Sequence, residues 1–182
     1  MAAGNSTRYQ GIKLLDMIDG RKMYLHVLEL MHKMPLTPKV IVTQYDEILD
    51  SAPQYGFTPV VNEEPELGIS LSLQLGLLKA LEQDPMMEGI MFGVCDQPYL
   101  HSSSIVRLAE SFRNSEKNIA ALSYEGTVGN PCIFGKKYYE ELLSLTGDIG
   151  GKKIIRKYPS DVVLVSAEDA GELIDIDERS NK

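Results

Sequence analysis

Ile69-Ser-Leu-Ser-Leu-Gln-Leu-Gly-Leu-Leu-Lys-Ala-Leu81 is the stretch on which the fold turns. Ile69, Leu71, Leu73, Leu75 and Leu77 alternate strictly with polar or small residues, which is the period of a strand. Leu73, Leu77, Leu78 and Leu81 fit the stripe of a helix equally well. Length decides between them. The apolar region runs from Ile69 to Leu81, past the roughly five or six residues of an ordinary strand and close to a mean helix. The reading is a buried helix.

Outward from that helix the chain keeps one rhythm. Before it, Arg21 to His32 carries Met23, Val27, Leu28, Leu30 and Met31 at near-helical spacing, and Lys39 to Thr43 is a short β-branched strand after Pro38. Asp46 to Gln54 reads as helical and Phe57 to Asn62 as extended. After it, Gly89 to Val94 is a buried strand, and Ser104 to Phe112 is a helix with serines available at its N-cap. Ile119 to Tyr124, Pro131 to Phe134 and Val162 to Val165 read as strands, and Tyr138 to Leu145 and Gly151 to Tyr158 as helices. Strands alternating with helices predict an α/β fold with a mostly parallel sheet.

At 182 residues the chain fits a single domain over residues 1–182, with no repeat, linker or low-complexity stretch. Hydrophobic residues make up 43% and charged residues 24%, with no apolar run long enough to span a membrane. The net charge of −8 argues against general nucleic-acid binding while leaving room for a local basic pocket. Only Cys95 and Cys132 are present, outside any C-x-x-C spacing, and the N-terminus lacks the pattern of a signal peptide. A soluble protein of the reducing cytoplasm is expected. His26, His32 and His101 are scattered without zinc-ligand spacing, and Cys95 reads as a buried strand residue.

The first thirteen residues, MAAGNSTRYQGIK, gather small residues (Ala2, Ala3, Gly4), hydroxyls (Ser6, Thr7) and cations (Arg8, Lys13) in one loop. Gly4 lets backbone approach a ligand closely, and successive N–H groups in such turns make an anion-binding concavity. Arg8 and Lys13 supply charge where a polyphosphate would sit. The loop is not a Walker loop, because Gly4 and Gly11 have six residues between them and Ile12 follows. Nor does it carry the dinucleotide fingerprint.

The string Ala2, Ala3, Gly4, Ser6, Arg8, Lys13, Leu14, Leu15 resembles the signature loop of the MobA-like nucleotidyltransferases, in particular the molybdenum-cofactor cytidylyltransferase branch. Further strings resemble that family in order: Gly68-Ile-Ser70-Leu-Ser72-Leu, Asp96-Gln-Pro98, Gly129-Asn130-Pro131, Gly147-Asp148-Ile-Gly150 and the D-I-D string ending in Asp177. Together they run from residue 2 to residue 177. The resemblance implies a three-layer α/β/α Rossmann-like fold with a mixed, mostly parallel sheet. It implies a nucleotide loop of Ala2, Ala3, Gly4, Ser6, Arg8 and Lys13, with Arg8 and Lys13 as the catalytic cations. Mg²⁺ would be held by Asp96 and Asp177, and Asp175 would be structural. Gly68, Ser70 and Ser72 would lie near the base, where the serines serve capping or recognition. Asn130, Pro131, Asp148 and Gly150 would face the acceptor, with Lys152 or Lys153 meeting its phosphate.

The implied reaction moves CMP from CTP to molybdenum-molybdopterin with release of pyrophosphate, and a molybdenum hydroxylase receives the product. The alternatives within reach are guanylyl transfer, a sugar-phosphate acceptor, or a non-catalytic protein that delivers the cofactor. Two departures from the family pattern stand out. The glycine expected two residues after Arg8 is Gln10, with Gly11 following, and the hydrophobic strand that precedes A-A-G in the family has Met1 in its place. The first strand is therefore expected to be truncated, leaving a central position of the sheet open.

Overall fold

The computed structural model describes residues 1–3 and 11–176. Asp19 and Gly20, both at positive φ, close a tight hairpin between β1 (Met17–Ile18) and β2 (Arg21–Lys22). α1 (Met23–His32), β3 (Val40–Thr43), α2 (Asp46–Ser51) and β4 (Thr58–Val61) follow. Then come α3 (Ile69–Gln83), β5 (Gly89–Phe92), α4 (Ser102–Asn114), β6 (Ile119–Tyr124) and β7 (Thr127–Gly135). α5 (Tyr139–Leu143), α6 (Lys152–Lys157) and β8 (Val162–Ser166) complete the regular elements, joined by single 3₁₀ turns.

The stretch from Ile69 is helical throughout. Leu73, Leu77 and Ala80, four and three residues apart, are buried on its inner side, and Gln74 Nε2 donates to the carbonyls of Leu143 and Leu145. Leu78, a member of the predicted stripe, points to solvent.

β3 and β4 pair in parallel, and a second sheet has the order β5-β7-β6-β8. β5 and β6 both run antiparallel to β7, while β8 runs parallel to β6. Residues 1 and 2 stitch the two sheets together. Ala2 pairs in parallel with Thr43, its N–H donating to Val42 O at 2.8 Å. The Met1 amino group donates to Gly93 O at 2.8 Å, and Met1 O accepts from Cys95 N–H at 3.1 Å, which is the parallel pattern around Val94. Across both sheets β3, β4, β5, β6 and β8 therefore point one way and β7 alone points back.

The pleat sends alternate side chains to opposite faces. Ile119, Ala121, Cys132 and Phe134 join Leu73 and Leu77 of α3, Leu142 of α5 and Ile154 of α6 in one core cluster. Ala120, Leu122 and Ile133 face Ile105 and Leu108 of α4 in another, and Ile41 packs with Leu28 of α1 and Ile48 of α2 in a third. The result is a three-layer α/β/α arrangement. The segment after β8 returns to clamp the start of α4: the buried Glu172 carboxylate accepts from the N–H groups of His101 and Glu168 and from the Ser104 hydroxyl. Among the described residues no helix is long and apolar enough to cross a membrane.

Candidate functional site

Parallel strands bring their carboxyl ends to one edge, the edge at which open α/β sheets hold ligands. β3, β5 and the Met1–Ala2 stitch all end there. Lys13 reaches this edge from a 3₁₀ turn, Lys13–Leu15, whose Leu14 is buried and so fixes the position from which the lysine projects. Asp96 follows the end of β5, behind the buried Cys95. The two meet: Lys13 Nζ lies 2.8 Å from Asp96 Oδ2, with the side chains 11% and 23% exposed. The other carboxylate oxygen, Asp96 Oδ1, is buried with no hydrogen-bond partner among the described residues.

A cavity of about 450 Å³ opens over this pair, lined by Ala2, Ala3, Lys13, Gly68, Ser72, Asp96 and Asp148 among others. A second, of about 520 Å³, adjoins it. Its floor is Leu73, Phe92 and Phe134, and Asn130, Asp148, Gly150, Lys152, Lys153 and Arg156 supply its polar lining. Asp148 and Ile69 line both. Lys152, Lys153 and Arg156 come from the first turns of α6, so three cations converge on an apolar floor.

The two cavities share a backbone junction. Gly68 has φ +88°, and a Cβ built on it would lie 2.4 Å from Gly147 C and O and 2.7 Å from Asp148 N. One residue on from Ile69, the Ser70 N–H donates to Gly147 O at 3.2 Å. Gly68→Ala therefore meets both positive φ and rigid backbone, and should cost at least ~1 kcal/mol. For a domain of this size that is a fall in melting temperature of about 2–4 °C or more, read by calorimetry; an unchanged midpoint would contradict the close approach.

The sequence-predicted residues distribute as follows. Ala2, Ala3, Lys13, Gly68, Ser72, Asp96 and Asp148 come together around the first cavity, and Asn130, Asp148 and Gly150 around the second. Ser72 Oγ accepts from Asn62 Nδ2, both residues being buried. Ser70 is buried and lines neither cavity, and Pro131 also lies outside both linings. Gly4, Ser6, Arg8 and Asp177 lie outside the described residues. Asp175 accepts from Gln97 Nε2 at 2.8 Å, and the Ile176 N–H donates to Asp96 O at 3.0 Å. The backbone leading to residue 177 is thus bonded to Asp96 itself.

Two residues that sequence reasoning passed over belong to this edge. Gln97 lies within the D-Q-P string, and its amide donates to Asp175. Arg156 stands four residues after Lys152, the spacing that puts both on one side of a helix. Burial pushes the Cys95 thiol up, and it pushes Cys132 up to about 12 despite the nearby Lys152 cation, so both sites disfavour the thiolate. Among the described residues no group of three or more His, Cys, Asp or Glu side chains is placed to hold a metal. A hard cation bound mainly through substrate phosphates needs fewer protein ligands.

A family model described as the MobA-like NTP transferase domain matches residues 1–162. Among solved structures, a homologue of Rv0371c from Mycobacterium sp. strain JC1 is similar at 25% identity, covering 97% of this chain and 87% of that one with a TM-score of 0.80. A nucleotidyl transferase from Methanothermobacter is similar at 19% identity, covering 97% and 89% with a TM-score of 0.78. Rv0371c of Mycobacterium tuberculosis H37Rv, in complex with manganese, is similar at 20% identity over 87% of this chain and 84% of that one, with a TM-score of 0.70. No curated protein matches. The three-layer architecture is that of the Rossmann-like nucleotidyltransferases.

Proposed function

Because the chain belongs to the MobA-like NTP transferase family, we propose that it moves a nucleotidyl group from a nucleoside triphosphate to a phosphate-bearing acceptor, with CTP as donor and molybdenum-bearing molybdopterin as acceptor. The observation that carries this reading is the pair of cavities meeting at Asp148, one opening over Lys13 and Asp96 and the other bearing Lys152, Lys153 and Arg156. Two substrates can lie end to end there, with their reacting groups at the shared wall.

In this reading an acceptor phosphate oxygen attacks the α-phosphorus. The bond from that phosphorus to its bridging oxygen breaks, and pyrophosphate leaves with the electron pair. The protein's part is orientation and charge neutralisation, since phosphoryl-type transition states need little covalent help. Ala2, Ala3, Gly4 and Ser6 cradle the triphosphate. Arg8 and Lys13 offset the charge that builds on the leaving oxygen. Gly68, Ser70 and Ser72 flank the base, and Asn130, Pro131, Asp148 and Gly150 orient the acceptor while the α6 cations hold its phosphate.

Asp96 and Asp177 would hold Mg²⁺. Asp96 Oδ1, buried and without a hydrogen-bond partner among the described residues, fits an oxygen-seeking cation, and the manganese complex of Rv0371c shows that protein with a metal of similar ligand preference. When bound, Mg²⁺ supplies positive charge across the phosphate oxygens. The choice of CTP as donor rests on the D-Q-P string at Asp96 and the G-x-S-x-S-L string at Gly68, which are similar to the cytidylyltransferase branch.

The test incubates the protein with each nucleoside triphosphate, Mg²⁺ and molybdopterin, and measures pyrophosphate. Release with CTP is the expected result. Release with GTP instead, or with a sugar phosphate in place of molybdopterin, would move the reading to those transfers. Tight molybdopterin binding with no release under any condition would replace it with a delivery role.

A further inference from the structure

The two outer strands, β4 of one sheet and β8 of the other, have edges of different character. Thr58 N–H donates to Lys39 O and Asn62 N–H to Thr43 O, so Thr58, Val60 and Asn62 bond to β3 while Pro59 and Val61 face outward. Proline offers no donor there, which blunts that edge against a further strand. β8 carries no such guard: Val162-Val-Leu-Val-Ser166 holds no proline, glycine or charge and pairs with β6 without a bulge. Ala167 N–H donates to Ser123 O, so Val163 and Val165 bond to β6, and the N–H and C=O groups of Val162, Leu164 and Ser166 point away from the sheet. Among the described residues only Ser166 O of these groups has a partner, Arg107 Nη2 at 3.2 Å, and a carbonyl can accept twice. The chain beyond β8 turns inward, to the start of α4 and then to Asp96, and leaves this edge open.

The open edge is complementary to itself. An antiparallel copy related by a two-fold axis at Leu164 sets Leu164 opposite Leu164 and Val162 opposite Ser166. Because the groups of all three point outward, each pair is of the doubly hydrogen-bonded kind, and every outward N–H meets a carbonyl. The side chains agree. Leu164 is 50% exposed and lies on the side of the sheet where Val162 packs with Ile154 of α6, so the pairing covers each leucine with its copy. The charges agree as well. Ahead of β8, Lys117 Nζ donates to Ser160 O beside the Lys137–Asp161 pair; after it come Glu168 and Asp169, with Arg107 offsetting one of them. An antiparallel copy brings the basic end of each strand to the acidic end of the other. We infer that β8 is the surface through which two copies of this chain join, as an isologous dimer whose sheet runs unbroken from one copy into the next.

The test is sedimentation of the whole protein across a concentration series, with hydrogen exchange followed over the same range. A monomer–dimer equilibrium is expected, with the mass doubling at high micromolar concentration. The amides of Val162, Leu164 and Ser166 should gain protection as the dimer forms, while those of Val163 and Val165, already bonded to β6, stay as they were. Leu164→Lys, at a half-exposed position, keeps the fold and sets like charges opposite one another at the axis, so it should weaken the dimer at least about tenfold. Leu164→Pro should do the same by removing an outward donor without taking a bond from β6, as Pro59 does in β4. A monomer at every concentration, a dimer of unchanged strength in Leu164→Lys, or protection that appears at other amides instead would each overturn the proposal.

Discussion

Asp96→Asn is expected to lower turnover about a thousandfold or more, a loss of several kcal/mol in transition-state stabilisation of the size a metal-holding carboxylate controls. The substitution keeps the shape of the side chain. Its amide oxygen can still accept from Lys13 Nζ, now 2.8 Å from Asp96 Oδ2, so the loop and the end of β5 stay joined. What is lost is the negative charge, and with it the grip on a divalent cation through the buried Oδ1. The melting temperature should move little, and a large excess of Mg²⁺ should recover part of the rate. Turnover within tenfold of the parent would remove Asp96 from the metal role.

Lys13→Ala should cost about a hundredfold in turnover or more, the usual result of removing one preorganised electrostatic donor. Unlike the first substitution it also acts on stability. It strips the cation from Asp96 at a site where the second carboxylate oxygen already has no partner among the described residues. A fully buried pair broken this way costs ~3–5 kcal/mol. The exposures of 11% and 23% reduce that to about 1–2 kcal/mol after solvent screening, or a few degrees in melting temperature. The two residues act as a unit, so the double variant with Asp96→Asn should be little slower than the worse single variant and more stable than Lys13→Ala alone. Rates at saturating nucleotide and calorimetry on all three decide it; independent, multiplying losses would show that the pair does not act together.

The helix at Ile69 was legible because its length outran its strand-like alternation, and the burial of Leu73, Leu77 and Ala80 bears that out. Turns hid more. Residues 21–22, assigned to a helix from the sequence, form the second arm of the β1–β2 hairpin, and the Asp19-Gly20 pair that closes it is a recognised hairpin signal. The same lapse shortened β7, which was expected to start at Pro131 yet begins at Thr127 after the Glu125-Gly126 turn. β5 ends at Phe92 rather than Val94, where the backbone of 93–95 bonds to Met1 instead of β7. α5 is confined to Tyr139–Leu143 by a 3₁₀ turn at its start.

At the site, the family strings located Lys13, Asp96, Gly68 and Asp148 individually. The pairing of Lys13 with Asp96, 83 residues apart, is set by tertiary packing that no local pattern records. Gln97 and Arg156 went unread for a related reason: their worth depends on Asp175 and on the cavity floor, both distant in sequence.

The junction at Gly68 bears on how such a protein can be altered. A Cβ there would strike backbone atoms of residues 147 and 148, which cannot rotate aside as a side chain would. The loop that shapes one cavity and the loop that shapes the other are therefore not separable modules. Transplanting the 147–153 loop from a relative in order to change the second substrate would also demand the relative's counterpart of residues 65–70, and the first substrate's fit would travel with the graft.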